Sequence, residues 1–378
     1  MILHKFQKNL LCKTGYFFVS LDKSEILCYN KDTIILKLGG YFFMNQAKKI
    51  KFQDMDCVRL EAGGYLAMIA PQVGSNVIRL CEQKNKIEFF RFSPENDYAA
   101  LIQSAEVWGL PTLYLPNRFA DGMLKTSDAV YQLPINEAAP YHNHIHGFLH
   151  KRTHRVTELQ ADANTARCRT EYIYDENDEF FQYLPIKFRA EFLFTLSANG
   201  LEYEFRLTNL SDRKMPVSVA THTAMNSPFV VNSKEQDQRI IAPIGKRWVL
   251  NSRCLPTGEF VDLTEQDKEY RNGTRCPVLQ NIDNEMYFAE YMNLNGEQFH
   301  GIVLEDTGSR KKICYETGEE YKFWIFWNDK GFNHYFCPEP MSAMIDAPNL
   351  DLPDGVTGYC ELDQDESKAF YQHFYTLE

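Results

Sequence analysis

Between Lys187 and Leu207 apolar residues fall on alternate positions, in two successive runs. Phe188, Phe192 and Phe194 share one side of the first run, and Leu201, Tyr203, Phe205 and Leu207 share one side of the second. A period of two sends side chains to opposite faces of a strand, whereas a helix would scatter the same residues around its axis. The turn Ser197-Ala198-Asn199-Gly200 lies between the runs, so the segment reads as an antiparallel hairpin. Short strand-like runs recur from about residue 55, punctuated by Gly, Asn, Asp and Pro. Leu66–Ala70 and Asn76–Leu80, for example, flank Pro71-Gln72-Val73-Gly74-Ser75. The one good helix candidate is Pro94–Trp108, with Tyr98, Leu101, Ile102 and Ala105 on one face. No repeat, low-complexity segment or linker interrupts the pattern. The sequence therefore predicts one large, almost all-β domain, a sandwich rather than a series of βαβ units. A length of 378 residues is within range for such a domain.

The first 43 residues stand apart, with strand-like pieces but no site-like residues. Leu38-Gly39-Gly40 can be encoded by TTA GGA GGN, which contains a purine-rich bacterial ribosome-binding sequence, three codons ahead of Met44. The expectation is that Met44 is the true start, residues 1–43 being a non-native or poorly ordered extension of the domain 44–378. The rival is an N-terminal hairpin added to the sheet.

The formal net charge of −11 argues against nucleic acid or an anionic membrane as partner, since both call for a basic face. No apolar run approaches the roughly 18 residues of a membrane span, and no signal peptide is recognisable. Ten cysteines are scattered without a Cys-x-x-Cys pair, the pattern of reduced, buried thiols in a cytoplasmic protein. Aromatic residues make up 14% of the chain; most belong in a core, although their flat faces also suit sugars.

Four stretches carry residues suited to chemistry: Leu115–Gly122 with Asn117-Arg118, Asn143–Phe148 with His144 and His146, Val217–Asn226 with His222, and Phe336–Asn349 with Glu339. Glu339 sits between Pro338 and Pro340 after the aromatic run Tyr321–Trp327, and is expected on a stiff loop. Alternation in a strand would put His142, His144 and His146 on one face, where they could hold a metal. No carboxylate or cysteine completes that set at tight spacing, so one ligand-binding histidine with solvated neighbours is the preferred reading, and no metal is expected.

Taken together and in order, these motifs resemble the aldose 1-epimerase, or galactose mutarotase, family. Asn117-Arg118, His146-Gly147, His222, and Glu339 followed by Asp346-Ala347-Pro348-Asn349 match it, as does Leu255-Pro256-Thr257-Gly258-Glu259. The resemblance covers roughly residues 60 to 375. It implies a β-supersandwich fold, no cofactor, a small sugar as partner, and interconversion of the α and β anomers of a hexose. It assigns Glu339 as base and His222 as acid, with Arg118, His146 and Asn117 on the sugar hydroxyls. A further hydroxyl-binding Asp of the family is matched to Asp283. Opening a hemiacetal ring requires one group to take the anomeric proton and another to protonate the ring oxygen, and a carboxylate with an imidazole suits that division.

Two departures bear on substrate choice. Thr223-Ala224-Met225-Asn226 keeps the family's Asn but loses its aromatic pair, and Gly147-Phe148 replaces a pair of glycines. They leave room for a hexose 6-phosphate, for which Lys151, Arg152 and Arg155 could supply charge, or for a carbohydrate-binding protein that has lost turnover. A glycosidase would need two carboxylates flanking the bond, and one stands out. The chain is expected to act as a monomer or homodimer.

Overall fold

The computed structural model of the chain describes residues 45–377 apart from 93–97 and 332, together with the backbone of four N-terminal strands. Two compact units meet in sequence between Met44 and Asn45. In the first, Leu11–Lys13, Tyr16–Leu21, Glu25–Asn30 and Thr33–Leu36 pair consecutively and antiparallel. Met44, the expected start, lies outside the described residues.

The second unit contains three large antiparallel sheets. The first runs in the order Arg155–Ala161, Ala166–Tyr174, Phe188–Ser197, Gly200–Asn209, Ser367–Leu377, Lys311–Thr317, Gly301–Asp306 and Gln238–Ile241. The second runs Thr112–Leu113, Ala220–Thr221, Tyr335–Met341, Phe323–Trp327, Glu285–Ala289, Ile244–Leu250 and Pro256–Val261, and Met225–Asn226 joins it on Tyr335–Met341. A five-stranded meander, Gln46 to Glu88, packs on the first sheet near Arg155–Ser197.

The alternating hairpin forms as its period requires. Phe188 pairs with Asn209 and Ser197 with Gly200, leaving Ala198-Asn199 as the loop. Phe188, Ala190, Phe192, Phe194 and Leu196 are buried, and the residues between them are partly exposed. Burying each such phenylalanine contributes roughly 1.5–3 kcal/mol. Phe194 stacks on Tyr203 across the ladder, with ring centroids 5.0 Å apart. The first sheet meets the second through Tyr315, which stacks on Phe374 at 4.2 Å and meets Trp324 edge-on at 5.6 Å. Trp324, Phe326 and Phe336 of the second sheet thereby join one continuous core with Phe192, Phe205 and Phe370 of the first.

The expected helix Pro94–Trp108 is shorter and broken. Tyr98–Gln103 is α-helical and Ala105–Val107 is a 3₁₀ turn, while Pro94 to Asp97 lie outside the described residues. Leu101 and Ala105 face inward as expected, but Ile102 is 47% exposed, because the break rotates the stripe before a second turn can form. A second helix, Glu265–Asn272, escaped the apolar-stripe criterion because it is mostly polar. Its signals are at its ends: Thr264 and Asp267 form a reciprocal capping box, and Gly273 closes it in the left-handed conformation. Among the described residues no helix is long and apolar enough to cross a membrane. The eight cysteines from Cys57 to Cys360 are free thiols.

Candidate active site

Glu339 does not lie on a loop. It sits within the strand Tyr335–Met341, opposite Ile325 of Phe323–Trp327. The prolines explain how this is possible. Successive backbone N–H groups of a strand point to opposite edges, so Pro338 and Pro340 deprive the same edge of donors. The edge facing Phe323–Trp327 is laddered throughout, from Phe323↔Met341 to Trp327↔Cys337. On the other edge the neighbouring chain pairs at Ala220↔Met341 and again at Met225↔Phe336, and departs between them. The prolines therefore face the gap. Residues 221–224 bow out there, and His222 stands at the middle of the bow.

Flanking hydroxyls set the direction of His222. Thr221 and Thr223 both turn to the core and meet the Tyr315 hydroxyl, at 2.9 and 3.0 Å. The His222 amide donates to the Pro111 carbonyl at 3.1 Å. The imidazole is thus turned to the face carrying Ile325, Trp327, Cys337 and Glu339, away from the main core. Its Nε2 is 3.3 Å from Glu339 Oε1, and its ring meets Trp327 edge-on at 5.6 Å. Both members of the pair are buried, His222 at 5% and Glu339 at 3% exposure.

The facing wall is built from turns. Arg118–Ala120 pairs with Asn143–Ile145, and the His146 amide donates to the Asn117 carbonyl at 2.9 Å. Asn117, His146 and Gly147 all have positive φ. A Cβ on Gly147 would lie 2.3 Å from the Leu115 nitrogen and the Tyr114 carbonyl oxygen, so only glycine fits behind His146. The His146 ring then meets that of His222 edge-on at 5.4 Å. Arg118 is held by Glu137, with Nε 3.0 Å and Nη2 2.9 Å from Oε1. Its Nη1 faces Asn117 Oδ1 at 3.4 Å and Asn284 Oδ1 at 3.3 Å. Asp346 anchors this strand: its carboxylate accepts from the Ala120 amide at 3.1 Å, and its own amide donates to the Arg118 carbonyl at 3.1 Å.

Burial disfavours charge on each member of the central pair. Desolvation pushes the Glu339 carboxyl well above the usual carboxylate range, against a smaller opposing pull from Arg118. It pushes His222 down to about 4. His146 is also driven well down, by desolvation first and by His222 second. Glu106 behaves differently. Burial alone would raise it, but contacts with His150, its own backbone and Lys151 outweigh burial and bring it to about 2. Glu106 is therefore held as an anion, beside a pair on each member of which burial disfavours charge.

Glu339, His222, Arg118, His146 and Asn117 all line one cavity of about 210 Å³, together with Glu106, Asn284, Ile325 and Trp327. That is below the roughly 300–1,000 Å³ of sites for drug-sized molecules, and it suits a small polar ligand. A larger hollow of about 380 Å³, on the first sheet between Glu202 and His373, gathers none of these residues.

Asp283 is not among the lining residues. It is exposed, and Asn284, at a φ of 48°, turns inward in its place. Asp283 Oδ1 accepts from Asn284 Nδ2 at 2.7 Å, which leaves Asn284 Oδ1 toward Arg118. The expected common face of His142, His144 and His146 does not form either. The strand spans only Asn143–Ile145, and the left-handed turns at His142 and His146 break the alternation. His142 is exposed beside Asp121, His144 is buried against Phe180 with Nδ1 2.8 Å from the Pro134 carbonyl, and His146 enters the cavity. Lys151, Arg152 and Arg155 are each matched to carboxylates: Glu106 at 4.0 Å, Asp178 at 2.7 Å and Glu171 at 2.7 Å. Besides Asn284, two residues escaped sequence reasoning. Glu106 had no local signal, and Cys337 would have been visible two positions before Glu339 had that segment been read as a strand.

Comparison with protein families matches residues 56–375 to the aldose 1-epimerase family. A galactose mutarotase-like protein from Clostridium acetobutylicum is 32% identical, superposes with a TM-score of 0.86, and is covered over 99% of its length by 89% of this chain. A putative aldose 1-epimerase from Escherichia coli K12 shares the fold at 17% identity and a TM-score of 0.65, with 85% of this chain covering 99% of that one. The LacX protein of Lactococcus lactis is 22% identical over 205 residues, a stretch that spans 53% of this chain and 63% of LacX.

Proposed function

The chain belongs to the aldose 1-epimerase family, and from that premise we propose that it interconverts the α and β anomers of a free hexose, with Glu339 as base and His222 as acid. The observation that carries this reading is the 3.3 Å approach of a buried carboxyl to a buried imidazole, facing Arg118, Asn117 and His146 across a small cavity. In the forward step Glu339 carboxylate takes the proton of the anomeric hydroxyl. The electron pair left on that oxygen forms the aldehyde, the C1–O5 bond breaks, and His222 imidazolium protonates O5. Rotation about C1–C2 and the reverse transfers close the other anomer.

Burial favours carboxylic acid with neutral imidazole, whereas the closed sugar requires carboxylate with imidazolium. The two arrangements hold the same number of protons. They differ by one transfer across 3.3 Å, so ring opening takes the pair into the arrangement that burial prefers. Each group would contribute roughly 10²–10⁴-fold. Arg118, Asn117, His146 and Asn284 bind the hydroxyls, and Trp327 and Ile325 supply apolar wall.

An unphosphorylated sugar is favoured because Arg118 is occupied by Glu137, Glu106 adds negative charge, and Lys151, Arg152 and Arg155 are matched to carboxylates. Exchange spectroscopy by NMR between the H1 signals of the two anomers tests this. Faster exchange in glucose or galactose, with none in their 6-phosphates, is the expected result. Exchange confined to the 6-phosphates would reject the substrate class, and exchange in neither would leave a sugar-binding protein.

A further inference from the structure

We propose that the Glu339–His222 pair doubles as a binding site for a thiophilic divalent cation, of which Zn²⁺ is the best match, with Cys337 as third ligand. We further propose that the bound ion switches anomer exchange off; this second part rests on the function proposed above.

Donor atoms of His222, Cys337 and Glu339 all lie within 4.8 Å of one another, and all three residues are buried. The fold makes this set. Cys337 and Glu339 are two apart on one strand, so they share its outer face, and His222 hangs over them from the bow that Pro338 and Pro340 leave unlatched. With bonds of about 2.0–2.3 Å, ligand atoms around a tetrahedral ion sit about 3.3–3.8 Å apart. His222 Nε2 and Glu339 Oε1 are already at 3.3 Å. His222 Nδ1 is buried and has no hydrogen-bond partner among the described residues, so the ring is not latched from behind and can pivot to meet an ion.

The donor types select the ion. One thiolate, one imidazole and one carboxylate match Zn²⁺ or Co²⁺, and the thiolate disfavours Mg²⁺ and Ca²⁺. Three protein ligands leave a fourth position for water. Charge also balances. The ion displaces the thiol proton and the proton shared by Glu339 and His222; both pass to the buffer, and no electron moves. A dication with two anionic ligands and a neutral imidazole adds no net charge to a buried site, which limits the desolvation cost. Ala224, Tyr335 and Trp327 pack around Cys337 and keep its side of the site dry. The ion would occupy the lone pairs that Glu339 and His222 need for proton transfer, so sugar and cation exclude one another.

Co²⁺ titration of the full chain tests the site without reference to activity. One equivalent should produce the near-ultraviolet thiolate-to-cobalt charge-transfer band and the visible bands of a four-coordinate ion, and Zn²⁺ should abolish both. Cys337→Ser and Cys337→Ala should lose the charge-transfer band. Glu339→Gln should raise the Co²⁺ concentration for half-saturation at least tenfold, and this gives a second reading should the cysteine variants fail to fold. No band with wild type, or a band that survives both cysteine variants, overturns the site. Anomer exchange is then measured with Zn²⁺ and after chelation, each protein against its own metal-free rate. At least tenfold reversible inhibition of wild type, requiring at least tenfold more Zn²⁺ in Cys337→Ser, supports the switch. Full activity with the ion bound overturns it. The cobalt spectrum without anomer exchange in any hexose would uphold the metal site and reject the proposed function.

Discussion

The two eight-stranded sheets use the same local chemistry to different ends. The first is continuous. Its hairpin Phe188–Asn209 is laddered over ten residue pairs, and its inward side chains are mainly phenylalanine, tyrosine and leucine. The second is interrupted at its centre, where Tyr335–Met341 loses its neighbour between Ala220 and Met225. Both bury aromatic rings on the inner face; Trp324, Phe326 and Phe336 do for the second what Phe192, Phe205 and Phe374 do for the first. Only the second sheet opens a gap, and the buried acid, imidazole and thiol collect there. A complete ladder leaves no room for a polar side chain in the sheet plane. Two prolines on one edge create that room, while the opposite edge keeps the strand in register.

The largest effects are expected at the gap itself. Glu339→Gln and His222→Ala should each slow anomer exchange by about 10³-fold or more, and the double variant should be little worse, because both act on one proton transfer. Glu204→Gln on the continuous sheet should leave the rate unchanged. Exchange kinetics in the four proteins checks this.

Glycine substitutions should separate the crowded wall of the cavity from an open position in the strand Pro256–Val261. Gly147→Ala should cost about 3 kcal/mol in urea unfolding, since it adds a backbone clash to a left-handed residue. Gly258→Ala, also at positive φ but with nothing within 4 Å of its Cβ, should cost about 1 kcal/mol.

Arginine pairs sharpen the contrast at the next level. Arg118→Lys loses the fork to half-buried Glu137 and should raise KM about 10- to 100-fold. Arg206→Lys, in a partly exposed pair with Glu204, should change stability by no more than about 1 kcal/mol.

Burial of the Glu339–His222 pair should also cost stability, with a definite pH signature. Glu339 has a raised pKa in the fold, so its contribution is greatest below its ordinary value near 4.5 and is lost as pH rises toward the folded value. His222 is depressed to about 4, so its contribution is present above 6.5 and is lost as pH falls toward 4. Glu339→Gln should therefore stabilise the protein by about 1–2 kcal/mol at pH 7, with the gain shrinking toward pH 4.5. Thermal unfolding across that range reads it directly. The smallest contrast is between neighbours: Asn284→Ala should raise KM several-fold, and Asp283→Ala should change it less, because Asp283 acts only through the Asn284 amide.

What the sequence made legible follows the same division. The central hairpin of the continuous sheet, Phe188–Asn209, could be read from alternation alone, because its inward phenylalanines have no alternative burial. Glu339, His222, Arg118, His146 and Asn117 stand in short motifs that match the family, and they line one cavity; the motifs have local causes: Gly147 must be glycine, and Asp346 and Asn349 tie down the strand of Arg118. Errors came where a residue takes left-handed geometry. A turn at Asn284 exchanged the places of Asp283 and Asn284, and turns at His142 and His146 dispersed a supposed histidine face. A further error at the site was to read Pro338-Glu339-Pro340 as a loop. Proline argues against a paired strand unless one edge is open, and the opening depends on residues more than a hundred positions away. That misreading also hid Cys337.

The most direct measurement is polarimetry of freshly dissolved α-D-galactose and α-D-glucose with wild type, Glu339→Gln and His222→Ala. Wild type should speed the approach to the equilibrium rotation, and both variants should return it to the rate of buffer. Undiminished acceleration by Glu339→Gln would contradict the assignment of the base and, with it, the shared-proton account of the site.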